Sequence, residues 1–391
     1  MPGLIIRPRS RILHGHDWVY ASEVQKAFGE IHDGDVVSLK DGKDRLLGSA
    51  IYNSKSQIIA RRFSRQRQDL DADFFRRRIR QAVDYRLERG LAKIAGRLVW
   101  SESDGLPGVI VDRYGDVVVL QTLTLAMERA KPLIVAALKE ILAPRCIVER
   151  NDAPGRKPEG LESIVGMLHG PEPGVIEIEV AGLRLLVDPL HGQKTGFYLD
   201  QTSNYAAVAR RAAGKRVLDC FSNAGSFALA CARAGAAAVV AVEISGEAVA
   251  HGKRQAEHND LASAIIWHEV NAFDFLAGEE KRNAQYDLII LDPPSFTKGK
   301  GNVTDALRGY KELHLRALKM LAPGGSLATF SCSHHIGDGH FRAMISEASL
   351  DAKRALRVIE RYPQAADHPV MLWMPETEYL HGYLFELLPG R

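Results

Sequence analysis

Paired cysteines are missing from this chain. Its 391 residues hold four cysteines, Cys146, Cys220, Cys231 and Cys332, with no paired spacing, so neither a disulfide framework nor a metal site is expected. A reducing, cytoplasmic setting is the default for so few unpaired thiols. Long apolar runs are missing too. None approaches the ~20 residues of a membrane helix, and no membrane partner is expected. Met1 to Ser10 carries arginines but no hydrophobic stretch of the signal-peptide kind. Net charge is +3, too small to name a partner. With 46% hydrophobic and 25% charged residues, the chain is globular and long enough for two or three domains.

Charge placement says more than charge total. Arg61, Arg62, Arg65, Arg67, Arg76, Arg77, Arg78, Arg80, Arg86 and Arg89 crowd one short stretch. Guanidinium groups bind phosphates through paired hydrogen bonds, so the cluster suits a nucleic-acid backbone. A solvated helix face is the competing explanation.

The stretch from Lys215 to Glu243 organises the rest. Its first apolar run stops at Asp219, as a buried strand does. A turn of small residues follows from Ser222 to Gly225, then an alanine-rich helix, then the run Ala238 to Val242 ending on Glu243. This is a β-turn-α-β unit, and ligands of such sheets sit beyond the carboxyl ends of the strands. Glu243 suits a ribose diol, because a carboxylate accepts two hydroxyl hydrogen bonds. The turn lacks the G-x-G-x-x-G pattern, and Asp219 would repel a pyrophosphate. An acid there favours S-adenosylmethionine, with its ammonium and sulfonium, over a dinucleotide.

Downstream, strands and helices alternate, and chemistry-bearing residues recur at the predicted strand tips: Asp219, Glu243, Asp274, Asp292 and Cys332. Asn271 to Asp274 is read as the end of a third strand. Leu288 to Leu291 is nearly all apolar, as in a buried parallel sheet, and leads into Asp292-Pro293-Pro294-Ser295-Phe296. The two prolines remove amide donors and stiffen the backbone. What remains are carbonyls and the Asp292 carboxylate, which accept from a base amine, with Phe296 as a flat wall. Lys298 and Lys300 follow in a polar loop suited to a lid or a phosphate. After the next strand comes Ser331-Cys332-Ser333. A thiolate there can add to carbon 6 of cytosine and make carbon 5 nucleophilic enough to accept a methyl group. Amine methylation has no such need, so Cys332 separates the two chemistries.

The earlier chain reads as two further parts. Residues 1–70 form a small β-rich module with turns at Asp33-Gly34 and Asp41-Gly42. His14-Gly15-His16-Asp17-Trp18-Val19 and Gly34-Asp35-Val36-Val37 resemble a PUA domain, a module that binds structured RNA. Its histidines are read as structural. Residues 71–188 are read as an α+β linking domain: a helix over Asp73 to Arg89, a hairpin over Val109 to Thr122, one helix from Met127 to Leu142, and a second hairpin over Val175 to Val187. The polar run Gly192-Gln193-Lys194-Thr195-Gly196-Phe197-Tyr198-Leu199-Asp200-Gln201 fits a loop laid against a site.

Taken together, these motifs resemble the bacterial S-adenosylmethionine-dependent 23S ribosomal RNA cytosine-5 methyltransferases of the large subunit methyltransferase I type, over nearly the whole chain. The resemblance implies an α/β fold: a Rossmann-like class I methyltransferase domain over 189–391, with a mostly parallel doubly wound sheet, behind a PUA-like barrel and a central α+β domain. It implies a cofactor site of Asp219, Phe221, Ser222, Asn223, Gly225, Ser226, Glu243, Asn271, Asp274, Asp292, Gln193 and Tyr198. Asp219 to Gly225 would cradle the methionine part, Glu243 the ribose and Asp274 the adenine. Pro293, Pro294, Phe296 and Lys298 would meet the substrate base, with Cys332 as nucleophile beside Asp292. The partner would be 23S ribosomal RNA or a large-subunit precursor, with a homodimer allowed for and no metal. Some RNA cytosine-5 enzymes carry a second cysteine in the proline motif. Here Ser295 follows Pro294, and the base that removes the carbon-5 proton is not identified. A guanine N2-methyltransferase and a non-catalytic RNA-binding assembly factor are the alternatives.

Overall fold

The computed structural model describes residues 1–296, 303–333 and 335–388. The chain divides into two compact units: Met1–Ile178 with Leu186–Leu199 and Ala366–Thr377, and Glu179–Leu185 with Asp200–Ala365 and Glu378–Arg391.

The first unit opens with six short strands, β1 Gly3–Ile6, β2 Trp18–Tyr20, β3 Val24–Phe28, β4 Val36–Lys40, β5 Leu46–Tyr52 and β6 Ile58–Ser64. They form one sheet in the order β2-β6-β5-β4-β1-β3, packed on a core that includes Leu4, Ile6, Val19, Val37, Leu39 and Ala60. Helix α1, Ala72–Glu88, follows. Asp71 caps it by accepting the Phe74 amide at 2.7 Å, which satisfies one of the orphan donors of the first turn. Its apolar stripe of Phe74, Phe75, Ile79 and Val83 packs into a core with Val109, Val111, Leu120 and Leu138.

Beyond it run β7 Ala95–Trp100, β8 Val109–Tyr114, β9 Val117–Thr122, α2 Leu125–Arg129, α3 Lys131–Leu142, β10 Cys146–Asn151 and β11 Ile164–His169. The sheet order is β11-β10-β9-β8-β7. The single helix expected over Met127–Leu142 is two, because Pro132 sits in the first turn of α3 and has no amide to continue α2. Strands β1, β7 and β11 were not expected from the sequence. A ribbon of β12 Ile176–Val180 and β13 Leu183–Val187 follows.

The second unit contains α4 Thr202–Ala209, β14 Arg216–Cys220, α5 Ser226–Arg233, β15 Ala238–Glu243, α6 Gly246–His258, β16 Ile265–Glu269, α7 Ala272–Lys281, β17 Tyr286–Leu291, α8 Val303–Met320, β18 Leu321–Ser331, α9 Asp338–Asp351, β19 Leu356–Tyr362 and β20 His381–Leu387. Its sheet has the order β16-β15-β14-β17-β18-β20-β19. The first five strands are parallel, and β20 is antiparallel to both its neighbours. The mostly parallel α/β reading therefore holds. The parallel strands place Leu218, Val242, Ile289, Leu291 and Leu327 in one core, as strands covered on both faces do. Strand order reverses at β14, which lies between β15 and β17. At such a switch point the flanking connections leave in opposite directions and open a crevice at the carboxyl ends.

Among the described residues, no helix is long and apolar enough to cross a membrane, and no group of three metal-ligating side chains exists.

Candidate active site

Register brings the strand tips together. Cys220 pairs with Val242 on one side and Leu291 on the other, so Asp219, Glu243 and Asp292 end neighbouring strands. The turn after β14 then bends sharply. Phe221, Asn223 and Gly225 have φ of 63°, 48° and 79°, left-handed values that cost a side-chain-bearing residue roughly 1–2 kcal/mol. Gly225 is required here for a second reason. A Cβ on it would lie 2.4 Å from Cη2 of Trp267.

Side chains lock this turn. The Asn223 amide donates to Oε2 of Glu243 at 2.9 Å, and the Ser245 amide donates to Oε1 at 2.9 Å. The Ala228 amide donates to Oδ2 of Asp219 at 3.0 Å. Asp219 is 1% exposed, and among the described residues its Oδ1 has no partner, nor does the buried Ser222 hydroxyl. An unmatched buried polar atom costs about 1–3 kcal/mol, and these two lie in one turn. Burial holds the Asp219 carboxyl well above the usual carboxylate range. The Ala228 amide opposes that rise, and the charges of Asp292 and Glu243 add to it. Three acids converging on two unmatched acceptors fit the ammonium and sulfonium of S-adenosylmethionine, since a cation relieves both strains at once.

Asn271 and Asp274 are placed differently from expectation. They do not end a strand. Asn271 caps α7, accepting the Phe273 amide at 2.8 Å, and Asp274 is exposed in the first turn of that helix. A short apolar sequence after an Asn reads as strand or helix alike, and the cap decides it. Phe273 also lines a cavity of about 310 Å³ with Phe296, Asp305, Ala306 and Gly309.

The proline motif is held from two sides. Gln201 donates its amide to Oδ2 of Asp292 at 3.1 Å. Asn204 donates to Gln201 Oε1 at 2.7 Å and to the Pro363 carbonyl at 3.0 Å, which orients the glutamine. On the other side Tyr310 of α8 donates to the Pro294 carbonyl at 3.3 Å and packs on Phe296, ring centroids 4.6 Å apart. Burial, then the charge of Cys332, push the Tyr310 hydroxyl up to about 12, with Asp292 adding to the rise. The phenol thus stays protonated and able to donate. Cys332 follows β18 and is partly exposed, whereas Cys146, Cys220 and Cys231 are buried and behave as small apolar residues. Gln201, Asn204 and Tyr310 were not picked out as site residues from sequence, and only the polar run ending at Gln201 hinted at them. Pro293 is buried and Pro294 exposed. Lys298 lies outside the described residues.

Gln193 and Tyr198 belong to the first unit. There the Gln193 carbonyl accepts the Gly196 amide at 2.7 Å, and the Lys194 ammonium sits 4.3 Å from the Tyr198 ring centroid. Thr195 anchors this loop by donating to Oδ2 of Asp112 at 2.6 Å, and Asp112 in turn binds Arg97 through two 2.8 Å contacts. The arginine cluster of the same unit is not one surface. Arg86 is fully buried and donates to Asp104 and to the Arg97 and Asp367 carbonyls. Arg61 pairs with Glu102, Arg62 with Asp17, and Arg76 with Asp73 and Glu140. His16 is hydrogen-bonded through both ring nitrogens. Its Nδ1 accepts the Trp18 amide at 3.0 Å, leaving Nε2 to donate to Glu376 at 3.0 Å.

Comparison with known proteins adds to this geometry. Residues 160–373 match the family described as S-adenosylmethionine-dependent methyltransferase, and residues 7–65 match the PUA-like domain. The ribosomal RNA large subunit methyltransferase I of Shewanella denitrificans is 40% identical over 376 residues, 94% of each chain. The protein of the same name from Pseudoalteromonas atlantica is 39% identical over 385 residues, 96% of each chain. A crystal structure of a methyltransferase complexed with SAH superposes with a TM-score of 0.87 at 22% identity, over 99% of this chain and 100% of that one. At that identity the likeness is one of fold.

Proposed function

We propose that this chain, which belongs to the ribosomal RNA large subunit methyltransferase I family of S-adenosylmethionine-dependent methyltransferases, methylates carbon 5 of a cytosine in 23S ribosomal RNA through a covalent Cys332 adduct. Methylation of large-subunit ribosomal RNA with S-adenosylmethionine is the activity of the family. The finer reading, base and mechanism, rests on one observation: of the four cysteines, the partly exposed one follows β18, the strand next to the one that Asp292 ends. Leu291 pairs with Thr329 in the same register.

The turn from Asp219 to Gly225 would cradle the methionine part of the cofactor, Glu243 the ribose, and Asn271, Phe273 and Asp274 the adenine. When bound, S-adenosylmethionine supplies an electrophilic methyl group. The protein's part is to prepare the base. Asp292, with the carbonyls freed by Pro293 and Pro294, accepts from the exocyclic amine and orients the ring against Phe296. The Cys332 sulfur bonds to carbon 6, and the resulting electron density at carbon 5 takes the methyl group. Loss of the carbon-5 proton then re-forms the double bond and expels the thiolate. A base inside a helix must first be extruded to reach this crevice.

The test is methyl transfer to 23S ribosomal RNA from cells lacking the enzyme, with wild type and Cys332→Ala, read by nucleoside mass spectrometry. 5-Methylcytosine with wild type and none with the variant is expected. A methylated guanine, or full activity without the thiol, would replace this reading with amine methylation. Failure of wild type to bind the cofactor by calorimetry would favour an assembly factor.

A further inference from the structure

The first unit carries a groove of about 700 Å³ walled by the end of β6, the exposed face of α1, the turn Ser101–Gly105 and the segment around Trp373. All four belong to that unit. Three carboxylates line it, and each is already engaged. Asp17 accepts from Arg62 at 2.7 Å, Glu102 from Arg61 at 2.6 Å and Asp104 from Arg86 at 2.8 Å. Arg65, Arg77 and Arg78 line the same groove, and among the described residues none has a carboxylate within ion-pair distance. Arg77 donates to the Gln68 side chain at 2.9 Å. Arg78 donates to the Phe63 carbonyl at 3.4 Å, and its buried Nε has no partner among the described residues.

Aromatic surface lies among these cations. Trp373 is 40% exposed, yet its ring is fixed, because Nε1 donates to Oδ2 of Asp17 at 3.1 Å. Arg65 sits 5.5 Å from its centroid. Tyr85 is a further wall residue. Guanidinium groups with no carboxylate partner among the described residues, interleaved with a rigid, half-open indole, are the elements of single-stranded nucleic-acid binding: the cations follow phosphates and the ring stacks a base.

We infer that this groove binds a single-stranded segment of the RNA substrate, phosphates on Arg65, Arg77 and Arg78 and one base on Trp373. The inference rests on the ribosomal RNA reading above and adds to it a site distinct from the cofactor crevice. An acidic protein would satisfy the charges but leaves the fixed indole without a role.

Filter binding of the full-length protein to protein-free 23S ribosomal RNA, across a salt series, tests it. Arg65→Ala/Arg77→Ala, both exposed positions, should weaken binding about tenfold to hundredfold near physiological salt and flatten the log–log salt slope by about 1.5. Trp373→Ala should weaken binding about fivefold or more, and Trp373→Phe should restore most of it. Cofactor affinity by calorimetry should be unchanged in all three, which establishes that they are folded. Ultraviolet crosslinks should map to the Trp373 segment. Unchanged RNA affinity and slope in the variants, or crosslinks confined to other surfaces, would overturn the groove and leave the substrate reading standing. Wild type that binds cofactor but no ribosomal RNA would remove both.

Discussion

The main-chain amide of Asn223 donates to Oε2 of Glu243 at 2.9 Å, across the gap between the β14 turn and the tip of β15. With the Ser245 amide on Oε1 at 2.9 Å, the carboxylate is fixed before any ligand arrives. Each oxygen keeps a further lone pair, so the group can hold the turn and accept ribose hydroxyls together. Preorganisation of this kind lowers the entropy lost on binding.

Glu243→Ala removes both functions. Charge-assisted hydrogen bonds contribute about 1.5–3 kcal/mol each, so cofactor Kd should rise about tenfold to hundredfold or more. Glu243→Gln keeps one acceptor oxygen and should fall between. Calorimetry on the three proteins checks the order, and equal affinities would remove Glu243 from the site.

Asp219 predicts a proton linkage. Its carboxyl is raised by burial, opposed by the Ala228 amide, and raised further by Asp292 and Glu243. A raised acid favours the protonated folded state, so the free protein loses stability as pH climbs from the ordinary carboxylate value through the raised one. A bound cation favours the carboxylate and reverses the preference. Cofactor binding should therefore release protons in that window, and affinity should rise with pH across it. Calorimetry in two buffers of different ionisation heat should show net release for wild type and none for Asp219→Asn. A pH-independent affinity in wild type would refute the linkage.

The chain Asn204–Gln201–Asp292 predicts a split between binding and turnover. Gln201 donates to Asp292 at 3.1 Å and is oriented by Asn204 at 2.7 Å. Gln201→Ala removes this hydrogen bond from the carboxylate, which should lower kcat/KM for RNA about tenfold while cofactor Kd stays within about twofold. Asn204→Ala, which leaves Gln201 in place but unoriented, should cost less. Steady-state kinetics on 23S ribosomal RNA separates them, and a larger loss for Asn204→Ala would point to a folding role.

The parallel sheet and its acid-tipped strands were legible because strand burial writes continuous apolar runs and each run stops at a polar residue. Asp219, Glu243 and Asp292 needed no more than that. Gln201 and Tyr310 were not legible. One reaches Asp292 across 91 positions of sequence, and the other faces the motif from a helix whose periodicity reports only its packing. The arginine cluster misled for a related reason. Composition counts Arg86 as surface charge, whereas three hydrogen-bond acceptors on neighbouring elements, the Asp104 carboxylate and the Arg97 and Asp367 carbonyls, and the Ala82 carbonyl of its own helix take it fully inside.

Trp267 sets a sharper test of the turn itself. Its ring tip lies between two glycines. A Cβ on Gly225 would be 2.4 Å from Cη2, and one on Gly252 would be 2.2 Å from the same atom. The two sites differ in backbone. Gly225 has φ of 79°, whereas Gly252 lies inside α6, where alanine is favoured over glycine by about 1 kcal/mol. Both Gly→Ala substitutions should lower the melting temperature. Adding Trp267→Leu removes the clash at each. At Gly252 the double variant should then match or exceed Trp267→Leu alone, because only the helical preference remains. At Gly225 it should still fall short by about 1–2 kcal/mol, the strain of a left-handed alanine. Chemical denaturation of the five variants measures both differences. Equal rescue at the two positions would mean that the turn relaxes to ordinary φ, and that its left-handed geometry is not built into the fold.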